Sequence, residues 1–230
     1  MRAGRIAAVE SLYPAIATVV AYLIGSLSFA VIVSRAFGLK DPRTYGSKNP
    51  GATNVLRSGN RNAAIATLLL DGMKGWLPLA LVKWFGAPYG LEDGTLAMMG
   101  LAVFLGHLYP VFFKFKGGKG VATFFGVLFG VEWMLALATG AAWLAMAFFF
   151  RYSSLASIAC AGFAPMIYLL GDRLAWYTEK PVMLAIFAMG MLLVFRHREN
   201  INRLLEGQEA KLGAAKEDPS KATPKAAKKR

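Results

Sequence analysis

The segment 43–57 places glycines, short hydroxyl and amide side chains, and cations close together. Gly46 and Gly51 permit backbone shapes that leave N–H groups free, and Pro50 stiffens the bend. Neutral donors at close range with cations behind them suit the binding of an oxyanion. The alternative is a turn-rich loop that carries interfacial cations. The residues of interest here are Gly46, Ser47, Asn49, Gly51, Thr53, Asn54 and Arg57, with Arg43 and Lys48 as further cations.

A second candidate for anion binding is the glycine-rich run 117–120, directly before an apolar stretch. Gly117, Gly118 and Gly120 surround Lys119 there. The start of a helix presents free N–H groups and the positive end of the helix dipole, and both favour phosphate. No Ser or Thr follows Lys119 and the spacing of a nucleotide-binding P-loop is absent, so an ATPase is not expected. The alternative is a flexible turn with interfacial lysines.

Two further polar stretches, 151–154 and 196–203, interrupt the apolar chain, and the first of them contains Ser154. In a helix, His197, Asn200 and Arg203 share one face because they are three residues apart. A histidine can act as a base near neutral pH, although a lone interfacial histidine is more often structural. The two histidines and one cysteine of the chain do not make a metal-ligand set, so no metal site is predicted.

The elements that must position these residues are apolar helices. Of the 230 residues, 56% are hydrophobic and 17% are charged, and the mean hydropathy is +0.45. A soluble domain has about 25% charged residues. A single cysteine excludes a disulfide scaffold. The composition therefore predicts an all-α, polytopic membrane protein.

Apolar runs along the chain predict about seven transmembrane helices. A single helix over 120–150 would be about 46 Å long, which exceeds the roughly 30 Å hydrocarbon core. We therefore predict two short helices there, meeting in a tight turn at Glu132, with one tilted helix as the alternative. The predicted spans are 12–33, 63–85, 95–113, 121–131, 133–150, 155–171 and 181–195.

The distribution of Lys and Arg predicts the orientation in the membrane. With seven spans and a cytoplasmic C-terminus, 20 of the 26 Lys and Arg residues lie inside and 5 lie outside. This bias predicts an external N-terminus, and it brings all four polar segments to the cytoplasmic side. The net charge of +13 follows this pattern and does not indicate nucleic-acid binding. Residues 1–205 are predicted to form one membrane domain, and 206–230 a basic, disordered cytoplasmic tail.

Two patterns within the spans are interpreted as structural. Asp71 and Lys74 are three residues apart and form a predicted charge pair facing the helix bundle, because isolated charges within a membrane are costly. Gly126 and Gly130 form a small-xxx-small pattern that favours close helix packing.

Four motifs follow one another along the chain. They are Tyr45-Gly-Ser-Lys-Asn-Pro-Gly-Ala-Thr-Asn-Val-Leu-Arg57, Asp71-Gly-Met-Lys-Gly75, Gly106-His-Leu-Tyr-Pro110 with Lys114-Phe-Lys-Gly-Gly-Lys-Gly120, and His197-Arg-Glu-Asn200. Together they resemble the acyl-phosphate-dependent glycerol-3-phosphate acyltransferases of bacteria, over roughly residues 25–207. The chain departs from the family pattern at Lys48, where the family usually has glycine.

The resemblance implies an integral enzyme of the bacterial inner membrane, with its active site on the cytoplasmic face and no cofactor. Its substrates would be acyl phosphate and sn-glycerol 3-phosphate, and its products lysophosphatidic acid and phosphate, in the first step of phospholipid synthesis. Other enzymes of that synthesis are candidate partners. By resemblance, the catalytic candidates are Ser47, Arg57, His197 and Asn200, and the substrate-binding candidates are Gly46, Asn49, Gly51, Thr53, Asn54, Gly117, Gly118, Lys119, Gly120, Ser154 and Arg203.

Two other classes of function are alternatives. A transporter of phosphate or of a phospho-compound needs paired charges near the membrane midplane, which Asp71 and Lys74 supply, but no inverted repeat is evident. A structural subunit would not need glycine-rich anion loops on one face.

Overall fold

The computed structural model describes residues 12–213, and within this range the regular elements are helices, apart from one isolated bridge between Asp172 and Trp176. Arg2, Arg5 and residues 214–230 of the predicted tail lie outside the described residues. The α-helices are α1 (Tyr13–Gly25), α2 (Phe29–Ala36), α3 (Ala52–Leu56), α4 (Arg61–Phe85), α5 (Asp93–Leu108), α6 (Val121–Val131), α7 (Trp133–Phe150), α8 (Ser153–Leu170), α9 (Lys180–Arg196) and α10 (Arg198–Leu205), with 3₁₀ turns at Ala87–Tyr89 and Val111–Phe113.

The helices give the chain the character of a multi-pass membrane protein. Within residues 12–213, four segments are long and apolar enough to cross a bilayer alone: α4, Asp93–Phe113, α7 and α8. The pairs α1–α2 and α9–α10 pass the same test as spans bent by 43° and 56°, which raises the number to six. The α6 helix is apolar but shorter. Seven spans and the orientation of the termini therefore stay predictions.

The first predicted span is broken, whereas the sequence predicts one continuous helix. Helix α1 ends at Gly25 and α2 begins at Phe29. The ammonium of Lys74 donates to the carbonyl oxygen of Leu27 at 2.7 Å and lies 2.7 Å from a carboxylate oxygen of Asp71. A carbonyl freed by a helix break needs such a partner within a membrane. The predicted pairing of Asp71 with Lys74 is present, and it stabilises the break.

The predicted break at Glu132 is present. Helix α6 ends at Val131, α7 begins at Trp133, and Glu132 between them has an extended backbone. The Lys83 ammonium donates to the carbonyl oxygen of Val131 at 2.6 Å, which satisfies an acceptor at the end of α6. The physical cause is the one expected: a continuous apolar helix would be too long, so the chain turns at the one charged residue of the stretch 121–150.

Glycines bring the central helices into close contact. Helix α4 packs on α6, and a Cβ at Gly126 would overlap the carbonyl of Gly72. Helix α1 packs on α5, and a Cβ at Gly25 would overlap the carbonyl of Val103. The interpretation of Gly126 as a packing residue is therefore confirmed. Large apolar side chains stay exposed on the outer faces, with Phe148 at 79%, as lipid-facing helices require.

Candidate active site

The loop 42–51 is shaped by one buried amide. Asn54 is 2% exposed, and its Nδ2 donates to the carbonyl oxygens of Pro42 at 2.6 Å and Tyr45 at 3.1 Å. Its Oδ1 accepts the backbone N–H of Ser47 at 3.1 Å. Every hydrogen-bonding atom of this amide is thus engaged with the loop backbone. Asn54 shapes the loop, and the Ser47 hydroxyl is carried on its exposed side.

The remaining predicted residues of this loop surround Asn54. Gly46 has a φ of +57°, and a Cβ there would overlap Oδ1 of Asn54 and lie 3.2 Å from Nη1 of Arg57. The position therefore requires glycine for both its backbone and the passage of the Arg57 side chain. Gly51 is the N-cap of α3 and lies beside the side-chain amide of Asn49. Thr53 lies on this short helix and Arg57 is its C-cap, and both are exposed.

Lys48 has a left-handed backbone conformation, which glycine tolerates better. This is the position where the family pattern usually has glycine. Its φ is +55°, and its side chain is exposed. A residue with a Cβ in this region costs about 1–2 kcal/mol, which glycine avoids. Glycine also has more conformational freedom in the unfolded chain, and this offsets part of the stability gained by removing the strain.

Lys48→Gly is therefore expected to stabilise the protein by about 1 kcal/mol, or a few degrees in Tm for a chain of this length. Thermal unfolding in detergent measures it. Lys116→Gly is the matched control, because Lys116 is an exposed loop lysine and is not among the residues with a positive φ. An equal rise in Tm for both variants would show that the gain does not come from the backbone of Lys48.

Arg196 holds the glycine loop from the side of α9. Its guanidinium donates to the carbonyl oxygens of Gly117 at 2.9 Å and Gly118 at 3.1 Å, and it lies over the ring of Tyr109. A planar fork that binds two successive carbonyls fixes the orientation of the peptide units between them. Gly120 follows with a φ of +84° and begins α6.

The glycine loop also contacts the first loop. A Cβ at Gly118 would overlap Nε2 of His107 and would lie 2.8 Å from the carbonyl oxygen of Pro50. A Cβ at Gly117 would overlap the carbonyl of His107. The absence of a side chain at Gly118 therefore allows the loops of residues 42–51 and 114–120 to touch, and its absence at Gly117 allows the glycine loop to lie against residues 107–110.

A buried polar cluster supports the glycine loop from within the bundle. The Thr123 hydroxyl donates to the carbonyl oxygen of Asp71 at 2.9 Å, so its oxygen accepts from Nδ1 of His107 at 3.2 Å. The same Nδ1 lies 3.6 Å from the Asp71 carboxylate. Nε2 of His107 then faces Gly118. The cluster ties α4, α5 and α6 to the loop.

Predicted residues from three segments meet at a second group of contacts. The ammonium of Lys119 donates to Oδ1 of Asn200. Nδ2 of Asn200 donates to Oε1 of Glu209 at 2.6 Å, and the Ser154 hydroxyl donates to the same oxygen at 2.7 Å. Arg203 donates to Oε2 of Glu209 at 2.7 Å. A lysine, an arginine, an amide and a hydroxyl thus converge, as a phosphate site requires.

The charges of this group are shaped by partial burial. Burial lowers the pKa of Lys119 to about 8, against the opposing effect of Glu209. Burial raises the pKa of Glu209, but hydrogen bonds from Ser154, Asn200 and Arg203 outweigh it and leave that pKa below its usual value. At neutral pH the site therefore contains a cationic lysine and an anionic glutamate.

His197 lies at the bend between α9 and α10 and is 2% exposed. Its Nδ1 is 2.8 Å from the carbonyl oxygen of Leu193. Because a carbonyl only accepts, Nδ1 carries a hydrogen and donates it. One ring nitrogen is thus used to hold the bend, and only Nε2 is left for any chemical role.

Two sets of contacts bring the four predicted segments together. The first loop meets the glycine loop at Pro50 and Gly118, and Lys119 leads from there to the group around Asn200. Two residues of the site are not among the predicted candidates: Arg196 opens the polar stretch 196–203 but is not a predicted site residue, and Glu209 lies in the predicted tail. Neither carries a local signal, because each acts through contacts with distant segments.

The arrangement suits the binding of anions and the stabilisation of an oxyanion. The Ser154 hydroxyl donates to Glu209 and not to a histidine, so Ser154 is not arranged as a nucleophile with a histidine base. The two groups of donors and cations fit the binding of two anionic substrates.

Comparisons with known proteins point to one family. A family model described as glycerol-3-phosphate acyltransferase matches residues 15–207. A glycerol-3-phosphate acyltransferase of Albidiferax ferrireducens is 65% identical over 204 residues, covering 89% of this chain and 91% of that protein. One from Burkholderia pseudomallei is 60% identical over 203 residues, covering 87% and 96%.

Two solved structures are also similar to this chain over most of its length. The crystal structure of PlsY (YgiH), an integral membrane glycerol 3-phosphate acyltransferase, in its glycerol 3-phosphate form superposes with a TM-score of 0.77 at 41% identity, covering 87% of this chain and 96% of that one. The lysophosphatidic acid form gives a TM-score of 0.75 at 40% identity, covering 87% and 95%.

Proposed function

The chain belongs to the glycerol-3-phosphate acyltransferase family, and we propose that it transfers a fatty acyl group from acyl phosphate to the 1-hydroxyl of sn-glycerol 3-phosphate. The products are lysophosphatidic acid and inorganic phosphate. The observation that carries this proposal is the meeting of two anion-binding groups, one around Asn54 and one around Lys119, through the contact of Pro50 with Gly118. Two phosphate-bearing substrates need two such groups side by side.

The position of the site supports the two substrates. Lys119 lies two residues before the start of α6, and Asn200 lies just past the bend that ends α9. Apolar helices on one side and exposed polar loops on the other let an acyl chain stay in lipid while its phosphate reaches water. We assign glycerol 3-phosphate to the glycine loop with Lys119, and acyl phosphate to the loop of Ser47, Thr53 and Arg57.

The reaction needs no covalent enzyme intermediate. The 1-hydroxyl oxygen attacks the acyl carbonyl carbon, the tetrahedral oxyanion collapses, and the bond to the phosphate oxygen breaks with phosphate as the leaving group. Acyl phosphate is a mixed anhydride and is already activated. Holding both substrates in line supplies several kcal/mol of the barrier reduction, and the hydrogen-bond donors of the site stabilise the oxyanion.

Two groups can accept the hydroxyl proton: His197 and a phosphate oxygen of the substrate. The burial of His197 and its bond to Leu193 favour a structural role for the histidine and assign the proton to the phosphate oxygen.

His197→Asn separates these roles, because the Asn amide nitrogen takes the place of Nδ1 and can still donate to Leu193, whereas Nε2 is lost. We expect kcat to stay within about tenfold of the wild-type value, since a general base contributes roughly 100-fold or more. Steady-state rates at saturating substrates measure it. A loss of 1,000-fold in a variant with unchanged Tm would make His197 the base.

The site is proposed to face the cytoplasm in a seven-span topology, in which α6 is counted as a span in addition to the other six. The excess of Lys and Arg on the side of the four polar segments supports this orientation. Membrane-impermeant labelling of Lys116→Cys and Arg173→Cys in intact cells tests it, and labelling of the first but not the second would contradict it.

The test of the function itself is a two-substrate assay. The purified chain in detergent receives palmitoyl phosphate and glycerol 3-phosphate, and phosphate release and lysophosphatidic acid are measured together. Both products should depend on both substrates, and palmitoyl-CoA should not replace the acyl phosphate. Phosphate release without glycerol 3-phosphate would indicate a hydrolase. A transporter is not favoured, because the Lys74 ammonium is already bonded to the Asp71 carboxylate and to the Leu27 carbonyl oxygen.

A further inference from the structure

We propose that Glu209 is a positioning residue of the acyltransferase site, which orients the Asn200 amide and, through it, the Lys119 ammonium. The inference rests on the proposed function of that site. Glu209 lies four residues beyond the last helix, in the part of the chain where the sequence predicts a disordered tail.

Both carboxylate oxygens of Glu209 are used. Oε1 accepts from the hydroxyl of Ser154 and from the amide of Asn200, and Oε2 accepts from Arg203. An amide side chain has a donor end and an acceptor end that can exchange places. With Nδ2 of Asn200 on Glu209, Oδ1 must point to Lys119, where it accepts from the ammonium. Glu209 thus selects one of the two orientations of Asn200.

Residues 207–212 form a short strap that positions the Glu209 carboxylate. At its start, the N–H groups of Gln208 and Glu209 donate to the carbonyl oxygen of Arg203 at 2.7 and 3.1 Å. At its end, the N–H of Leu212 donates to the carbonyl oxygen of Arg151 at 2.6 Å, and the Arg151 guanidinium donates back to Leu212 at 3.2 Å. The Glu209 side chain is 10% exposed. The strap is therefore attached at both ends, and it crosses beside the start of α8.

A carboxylate beside a phosphate site needs a physical reason, since it repels the substrate. Arg203 forms an ion pair with the carboxylate at a separation of 2.7 Å. The Glu209 carboxylate also acts on Lys119, whose charge is further affected by Glu199, Arg203 and Arg196. The two glutamates favour the charged ammonium, whereas the two arginines and burial disfavour it. Glu209 thus both orients Asn200 and keeps Lys119 protonated.

The experiment compares Glu209→Gln and Glu209→Ala with the control Glu206→Gln, an exposed carboxylate just before the strap. The full chain in detergent is assayed with palmitoyl phosphate over a range of glycerol 3-phosphate concentrations and from pH 6 to pH 9.5. Glu209→Ala should lower kcat/KM for glycerol 3-phosphate by about tenfold, because Asn200 and Lys119 lose their alignment. Glu209→Gln keeps the shape but not the charge, so the alkaline fall in kcat/KM should move to lower pH.

The results separate positioning from a structural role. A Tm that falls with no movement of the alkaline limb in Glu209→Gln would overturn the proposal, as would wild-type kcat/KM in both variants. Higher activity in Glu209→Ala would also overturn it, since the carboxylate would then block the site. In all three cases an active wild-type chain leaves the proposed function intact. A wild-type chain without acyl transfer would overturn the function and the positioning role together.

Discussion

Replacing Lys119 with methionine is expected to lower kcat/KM for glycerol 3-phosphate by about 100-fold to 1,000-fold. The ammonium is half-buried and bonded to Asn200, so it sits where a phosphate would be held partly shielded from water. Losing a charged contact of this kind costs about 3–4 kcal/mol, which corresponds to that factor. Initial rates of lysophosphatidic acid formation measure it. Lys116→Met is the control, because it removes an exposed lysine of the same loop, and equal losses in both variants would indicate a surface-charge effect.

The pH dependence gives this prediction a second readout. Phosphate binding needs the protonated ammonium, and burial lowers the pKa of Lys119 to about 8. The group is therefore mostly charged below pH 8 and loses its charge above it, so wild-type kcat/KM should fall by about tenfold per pH unit in the alkaline range. Lys119→Arg stays charged throughout and should show no such limb. An unchanged limb in that variant would assign the titration to another group.

Gly118→Ala is expected to lower kcat/KM by about 100-fold and to lower the Tm. The added methyl group would overlap Nε2 of His107 and approach the Pro50 carbonyl to 2.8 Å, and neither neighbour is the free end of a flexible chain. The glycine loop must therefore move away from the first loop. A displacement of about 1 Å between two substrate-binding groups can cost a factor of 100 in rate, and overpacking costs about 1–3 kcal/mol in stability.

Gly94→Ala is the matched control for Gly118→Ala. Gly94 is a helical glycine where a Cβ would meet nothing within 4 Å. It should keep wild-type activity, with a Tm at or slightly above the wild-type value, because alanine favours the helix over glycine. If Gly118→Ala behaved like this control, the two loops would not depend on their contact, and the side-by-side arrangement of the substrates would be wrong.

The fold was predictable where local rules decide. Bilayer thickness and one polar residue were enough to place the break at Glu132, and glycine spacing was enough to mark Gly126 as a packing residue. The break between Gly25 and Phe29 was not predictable in this way. It involves a bond from Lys74, which lies 47 residues from Leu27 along the chain, and the local run Gly25-Ser-Leu-Ser28 does not show that bond.

The site was predictable as a set of segments but not as a set of contacts. Residue types marked four candidate segments for anion binding, and the charge distribution predicted that these segments would meet, as they do. Which atoms pair with which depends on tertiary structure. Asn54 was a candidate for substrate binding, and its amide is engaged with the loop backbone; Glu209 had no pattern of its own, and its carboxylate joins three predicted residues.

The shortness of α6 has a consequence for the surrounding lipid. Eleven residues span about 16 Å, roughly half the hydrocarbon thickness of a bilayer. With the glycine loop at the aqueous edge, Glu132 at the other end of α6 is drawn toward the midplane unless the bilayer thins around it. Each ångström of such mismatch costs a fraction of a kcal/mol. A membrane built from shorter fatty acids reduces that cost, so the thickness of the membrane affects the stability of α6 within it.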